Sequence, residues 1–189
     1  ADYTVDFAPP EAELSAVTFR DVTAATGIAF VHENGSSGRK LLPETMGSGV
    51  LIFDHDSDGL PDILFVNGIP LGRGAAGSAG GGPAPTMAIL RNLGGLRFRD
   101  ATADAGLAVS AMGMGATAAD ADGDGDPDLF VTAVGRSFFF RNDGGRFSDA
   151  TREAGLEAPT WKDASGRAHG SWGTSCAFLD YDRDGRVDL

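Results

Sequence analysis

An all-β fold, a β-propeller of four-stranded antiparallel blades, is what the sequence predicts, and three observations predict it. The pattern D-x-D-x-D-G-x-x-D occurs three times, at residues 54–62, 120–128 and 180–188, and an apolar residue or run follows each copy directly. A glycine (Gly47, Gly113 or Gly173) stands seven residues before the first Asp of each copy, and the copies are spaced by 66 and 60 residues. A fixed period in this range marks a solenoid, propeller or array. Four short strands per unit select the propeller, whose blades are four-stranded sheets around a central channel.

The elements follow in order. Residues 1–16 form an N-terminal extension. Residues 17–23 carry F-R-D-V-T, which recurs as F-R-D-A-T from Phe98 and F-S-D-A-T from Phe147. In those later copies the element ends a unit, so the orphan copy is expected to be the outer strand that closes a last blade. The first blade covers residues 47–102: a strand in M-G-S-G-V-L-I-F, the Asp loop, a strand in D-I-L-F-V-N, a strand ending in Arg91-Asn92, a G-G turn, and the F-x-D-x-T strand. The second blade repeats this over residues 113–151, with Arg141-Asn142 and the turn at Gly144-Gly145. Short β-branched and aromatic runs punctuated by Gly, Asn and Asp are strand and hairpin signals, and no segment shows a convincing amphipathic helix. Residues 173–189 begin a third blade. About two and a half blades are thus expected over residues 17–189, and a ring needs at least about four, so the chain reads as part of something longer. The hairpin between the second and third strands is tight in the second blade. In the first it expands into the low-complexity run I-P-L-G-R-G-A-A-G-S-A-G-G-G-P-A-P, a composition of flexible surface loops.

Charge and composition narrow the function. The net charge is -12, yet 13 of the 21 Asp residues lie in the three motifs, so the acidity is localised. Nucleic acid is excluded as a partner by this sign, since duplex binders present basic surfaces. One cysteine, Cys176, rules out an intrachain disulfide and cysteine-based metal sites, and its apolar neighbours S-C-A-F-L place it in a core. No apolar run reaches the ~18 residues of a membrane span.

The Asp loops carry the chemistry. Calcium takes six to eight oxygen ligands from carboxylates, carbonyls and water. Carboxylates at positions 1, 3 and 5 of each loop (Asp54, Asp56, Asp58; Asp120, Asp122, Asp124; Asp180, Asp182, Asp184) converge if the chain curls tightly, and Gly59, Gly125 and Gly185 at position 6 permit the curl. Position 7 offers a backbone carbonyl from Leu60, Asp126 or Arg186, and Asp62, Asp128 or Asp188 at position 9 closes the shell. An EF-hand starts alike but ends in Glu and enters a helix, whereas β-formers follow here. Four carboxylates held this close without a cation would repel. Up to three Ca2+ ions are therefore expected, with magnesium disfavoured by its rigid octahedral demand. Arg183 and Arg186 weaken the third loop, and His55 inside the first is expected to face solvent.

These units, with the Asp loop, R-N-x-G-G and F-x-D-x-T together, resemble the FG-GAP and VCBS-type repeats of the integrin α-subunit propeller. They are more similar still to those of bacterial secreted proteins that often carry an ASPIC/UnbV domain. The resemblance covers residues 17–189. It departs where Met46-Gly47, Met112-Gly113 and Trp172-Gly173 replace Phe-Gly, and where no Gly-Ala-Pro follows the second strand, so integrin-like ligand recognition is not implied. What it implies is a calcium-stabilised propeller outside the cytoplasm (extracellular, periplasmic or on the cell surface), used for binding, adhesion or scaffolding and not for catalysis.

Other signals are weaker. G-R-G-A-A-G at residues 72–77 matches a dinucleotide fingerprint but no helix follows to receive a phosphate. The long connections between blades hold His32, Glu33, Lys40 and Glu44, and then Trp161, Lys162, Arg167, His169 and Trp172. Loops on one propeller face commonly bind partners, so a protein or cell-surface partner is expected there, or a place in a larger assembly. The alternative is a propeller that scaffolds, or is appended to, a hydrolase or lyase whose catalytic part lies outside this chain. Within the chain only His32, Glu44 and His169 offer catalytic groups near a channel.

Overall fold

The computed structural model describes residues 18–71 and 87–189. The N-terminal extension, the G-R-G-A-A-G run and most of the low-complexity insertion lie outside the described residues.

Two four-stranded antiparallel sheets are the centre of the molecule. The first runs in the order β1 (Val50–Phe53), β2 (Asp62–Phe65), β3 (Ala88–Asn92), β4 (Phe98–Asp100). The second repeats that order as β5 (Gly113–Ala119), β6 (Asp128–Ala133), β7 (Phe138–Asp143), β8 (Arg146–Asp149). The all-β, propeller-like architecture expected from the repeat is therefore present, with each Asp loop forming the hairpin between a blade's first two strands. Among the described residues helix is confined to two single turns, α1 (Thr23–Thr26) and α2 (Leu42–Met46).

The period-2 side-chain alternation of strands decides what each face meets. In the first blade Leu64, Val66 and Ile89 point to the second blade and are almost wholly buried, with Leu51 and Phe53 packed beside them. From the second blade Leu129, Val131, Phe138, Phe140 and Phe147 meet them, and Leu107 of the connection fills in. Each such side chain contributes about 1.5–3 kcal/mol of burial free energy. The central strand β6 is buried at every position because residues 173–178 cover its other face, where a Cβ on Gly173 would lie 3.0 Å from Thr132 Cβ and Cys176 sits half-buried against Phe130. On the outer face of the first blade Phe30 stacks on Phe65 at 4.4 Å, while Val50 and Ile52 stay exposed.

Glycine sets the spacing between inner strands. A Cβ on Gly49 would lie 3.1 Å from Gly115 Cα, and one on Gly115 would lie 3.2 Å from the Thr174 carbonyl. Each unit's inner strand thus approaches the next through a glycine, five residues before the first Asp of the loop.

Two expected strands are absent. Residues 18–22 have no ladder partner, and Phe19 is 97% exposed. The motif's local turn persists nonetheless: Thr23 N–H donates to Asp21 at 2.9 Å, as Thr102 N–H does to Asp100 and Thr151 N–H to Asp149. Residues 173–178 likewise form no named strand, because only Asp188 and Leu189 lie on the facing side and give the single bridge Leu179 to Asp188. In the other direction, the connection after the second blade folds into an unforeseen hairpin, β9 (Thr160–Lys162) with β10 (Ala168–Gly170).

Candidate metal centre

All three Asp loops adopt one geometry, built from the first Asp. Asp54 accepts the N–H of Asp58 (3.1 Å) and Gly59 (2.7 Å), Asp120 those of Asp124 (3.1 Å) and Gly125 (3.0 Å), and Asp180 those of Asp184 (3.1 Å) and Gly185 (3.0 Å). Position 5 then accepts the N–H of position 7 at 2.9 Å in each loop: Asp58 from Leu60, Asp124 from Asp126, Asp184 from Arg186. The curl needs left-handed backbone twice. Position 6 supplies it with glycine, at φ of 85°, 97° and 85°. Position 4 also takes positive φ, at Ser57, Gly123 and Arg183. Only the second loop has glycine there, so the first and third hold a side chain in a sparsely populated region.

The curl gathers carboxylates. Asp54, Asp56 and Asp58 bring one oxygen each within 4.8 Å of one another, as do Asp120, Asp122 and Asp124, and in the third loop Asp180, Asp182 and Asp188. These are hard oxygen donors, the set that fits calcium better than softer ions. Asp56 Oδ1 is shielded from solvent and has no hydrogen-bond partner, which suits an oxygen reserved for a cation.

Position 9 does more than line a shell. Asp62 and Asp128 are fully buried, and each accepts two backbone N–H groups: Asp62 from His55 (3.0 Å) and Asn92 (2.7 Å), Asp128 from Ala121 (3.0 Å) and Asn142 (2.9 Å). Each ties the Asp loop to the third strand. Asp188 retains only the first of these bonds, from Tyr181 N–H at 2.8 Å. The two buried carboxyls differ in character. Burial pushes both up. At Asp62 the His55 ring and the two N–H donors outweigh it and hold the group below its ordinary value. At Asp128 two N–H donors do not, and the charges of Asp122 and Asp124 raise it further.

His55 corrects the sequence reading. It is 3% exposed, its Nδ1 is bonded to Asp62, and its ring stacks toward Phe147 of the second blade, 6.5 Å between centroids. An apolar ring face and an adjacent carboxylate draw it inward, away from solvent. Arg91 was not anticipated either: Nε lies 2.7 Å from Asp56 Oδ2 and Nη2 2.9 Å from Asp58 Oδ2. Its position one strand away from the loop, beside the recurrent Asn, was the available signal. Arg141, its counterpart, makes no ion pair among the described residues.

The recurrent Asn explains R-N-x-G-G. Asn92 Nδ2 donates to Pro61 O (2.8 Å) and Asn142 Nδ2 to Pro127 O (3.0 Å), while their Oδ1 atoms accept the N–H of Gly94 and Gly145. One side chain thereby locks the glycine turn to the Asp loop of its own blade.

A family model described as FG-GAP-like repeat matches residues 54–131 and again 120–189. The chain belongs to the FG-GAP-like repeat family. No curated protein matches it. Both matched spans start at the first Asp of a loop, so the FG-GAP-like repeat signature and the three cation-capable clusters coincide along the chain.

Outside the FG-GAP-like loops, two of the three candidate catalytic groups are engaged locally. Glu44 is buried against Ser37 Oγ at 2.5 Å, His169 Nε2 lies 2.8 Å from Asp163, and His32 is exposed. No helix among the described residues is long and apolar enough to cross a membrane.

Proposed function

We propose that this chain belongs to a calcium-stabilised β-propeller outside the cytoplasm that serves as a protein-interaction, adhesion or scaffolding module and not as a catalyst. The observation that carries the reading is the threefold recurrence of one loop geometry, with its first Asp folded over the N–H groups of positions 5 and 6 and its carboxylates grouped within 4.8 Å. In each loop the acidic side chains would hold a Ca2+ ion, which would supply the charge that their mutual repulsion lacks. Extracellular calcium, near millimolar, suits the weak affinity of extracellular modules.

The geometry of a meander also divides the labour. The Asp loops and glycine turns lie at one end of each blade. At the other end lie the connections between blades, where Asn34 bridges Gly68 and Trp172 bridges Val134. Trp161, 57% exposed and stacked on His169 at 4.5 Å, stands there beside Lys162 and Arg167, and this end is the proposed recognition surface. Aromatic and Arg anchors favour a protein partner. We further place residues 17–23 as the outer strand of a closing blade. A Cβ on Gly27, after that motif, would lie 3.8 Å from the Phe98 carbonyl oxygen, as one on Gly106 would lie 2.7 Å from that of Phe147.

A thermal melt with millimolar calcium and again with chelator tests the reading. Linkage requires a higher midpoint with calcium, and an identical midpoint in both would reject it.

A further inference from the structure

We infer that Asn142 couples the first and second Asp loops, so that they take up cation together across the blade interface. This rests on the calcium reading above and adds a regulation to it. Asn142 is fully buried, and each polar group of its side chain is occupied. Its Nδ2 donates to His55 O (2.8 Å) in the first loop and to Pro127 O (3.0 Å) in the second, while Oδ1 accepts Gly145 N–H (2.9 Å). Its own N–H holds Asp128 (2.9 Å). An amide has two donor hydrogens. Both are spent, one on each loop, so Asn142 cannot follow a shift of one loop without releasing a buried carbonyl of the other.

Two further contacts tighten the joint. Gly145 faces Asp56 so closely that a Cβ there would stand 2.8 Å from Asp56 Cβ, and Ser57 Oγ reaches Asp126 Oδ1 at 3.4 Å. Asp126 Oδ2 in turn accepts Gly144 N–H at 2.8 Å. The glycine turn of the second blade is therefore clamped between both loops. Closing either loop draws its acidic side chains inward and sets the turn, and the set turn favours the closed form of the other. Asn92, the same motif residue in the first blade, reaches only Pro61 of its own loop. No hydrogen bond among the described residues joins the second loop to the third.

The test follows each loop separately by the amide resonances of Gly59, Gly125 and Gly185 while calcium is added to the full chain. Disabling the first loop by Asp54→Asn with Asp58→Asn is expected to weaken the second loop's midpoint about fivefold or more, the lower range of typical coupling, and to leave the third in place. In Asn142→Ala the same pair of changes is expected to leave the second loop's midpoint unmoved, whereas in Asn92→Ala the coupling persists. A second loop indifferent to the first in the unaltered chain overturns the coupling, as does coupling that survives Asn142→Ala. Where Asn142→Ala does not fold, hydrogen exchange decides on the chain with its first loop disabled. Calcium at the second loop then slows exchange of the backbone amides at position 58 and Gly59, and unchanged exchange there overturns the coupling. If none of the three glycine resonances responds to calcium, the calcium reading itself falls and the coupling with it.

Discussion

Asn142 and His55, 87 positions apart, are joined by a 2.8 Å hydrogen bond from the Asn142 side-chain amide to the His55 carbonyl. The bond crosses from the third strand of one blade to the Asp loop of the blade before it. Packing between sheets is non-directional, and many small slides of one blade on the next would bury similar area. A buried, fully satisfied amide permits one of them. Four predictions follow from this joint, its glycine turn, the first loop and the outer hairpin.

Asn142→Ala leaves the buried His55 carbonyl and the half-buried Pro127 carbonyl without that donor, and should cost about 2–4 kcal/mol of unfolding free energy. Asn92→Ala, which frees only Pro61 O at a less buried site, should cost about 1 kcal/mol. Urea unfolding measures both, and equal losses would remove the interface from the explanation.

Gly144 and Gly145 both have positive φ, 58° and 85°, yet a Cβ on Gly145 would stand 2.8 Å from Asp56 Cβ, while one on Gly144 would meet nothing within 4 Å. Gly144→Ala should cost about 1–2 kcal/mol for the left-handed backbone alone. Gly145→Ala should cost more by about 1–3 kcal/mol, because the first loop must also move. The order is checked by thermal melts of the two variants.

Arg91 occupies the acidic side chains of the first loop that a cation would use. Arg91→Gln should therefore strengthen calcium binding at that loop by up to about fivefold, since a partly exposed ion pair is worth up to about 1 kcal/mol. The second and third loops should be unaffected. Calcium titration followed at Gly59 and Gly125 reads the difference, and a weaker first loop would show that Arg91 supports the ligands instead of competing.

Hydrogen bonds from Ser165 Oγ and then the His169 ring hold the Asp163 carboxyl down at about 2, against an ordinary 3.8. A depressed folded-state value means stabilisation that is complete above the unfolded value and is lost as pH falls toward the folded one. Trp161 fluorescence should thus change between about pH 4 and 2 as the hairpin loosens. Asp163→Asn should abolish that transition, and a transition retained in the variant would assign it elsewhere.

The blades were legible because their signals are local. A strand's alternation, a loop's carboxylates and a G-G turn are written within about ten residues, and each recurs. Thr102 and Thr151 could be matched from sequence even though their task, accepting the N–H of Ile89 and Phe139 across the strand pair, appears only in three dimensions. His55 was misread because nothing near it in sequence reveals Phe147 or Asn142. The hairpin at Thr160–Lys162 carries a turn dipeptide, Ser165-Gly166, but its flanks T-W-K and A-H-G are too short to read as strands, and its register is held by Asp163, which accepts the N–H groups of Ser165 and Arg167. Residues 18–22 show the converse limit: the motif makes its Asp-Thr turn alone but becomes a strand only when another strand lies beside it.

The sequence by itself determined the repeat, the all-β class and the three acidic loops, because short-range sterics and charge set a loop's curl wherever it is placed. Only the tertiary structure decided which other strands the loop residues hold. Asp62 and Asp128 each accept one backbone N–H from their own loop and one from the third strand, and Asn142 binds two loops at once, contacts that join residues far apart in the chain. Which groups are desolvated together is a property of packing, and sequence spacing does not contain it.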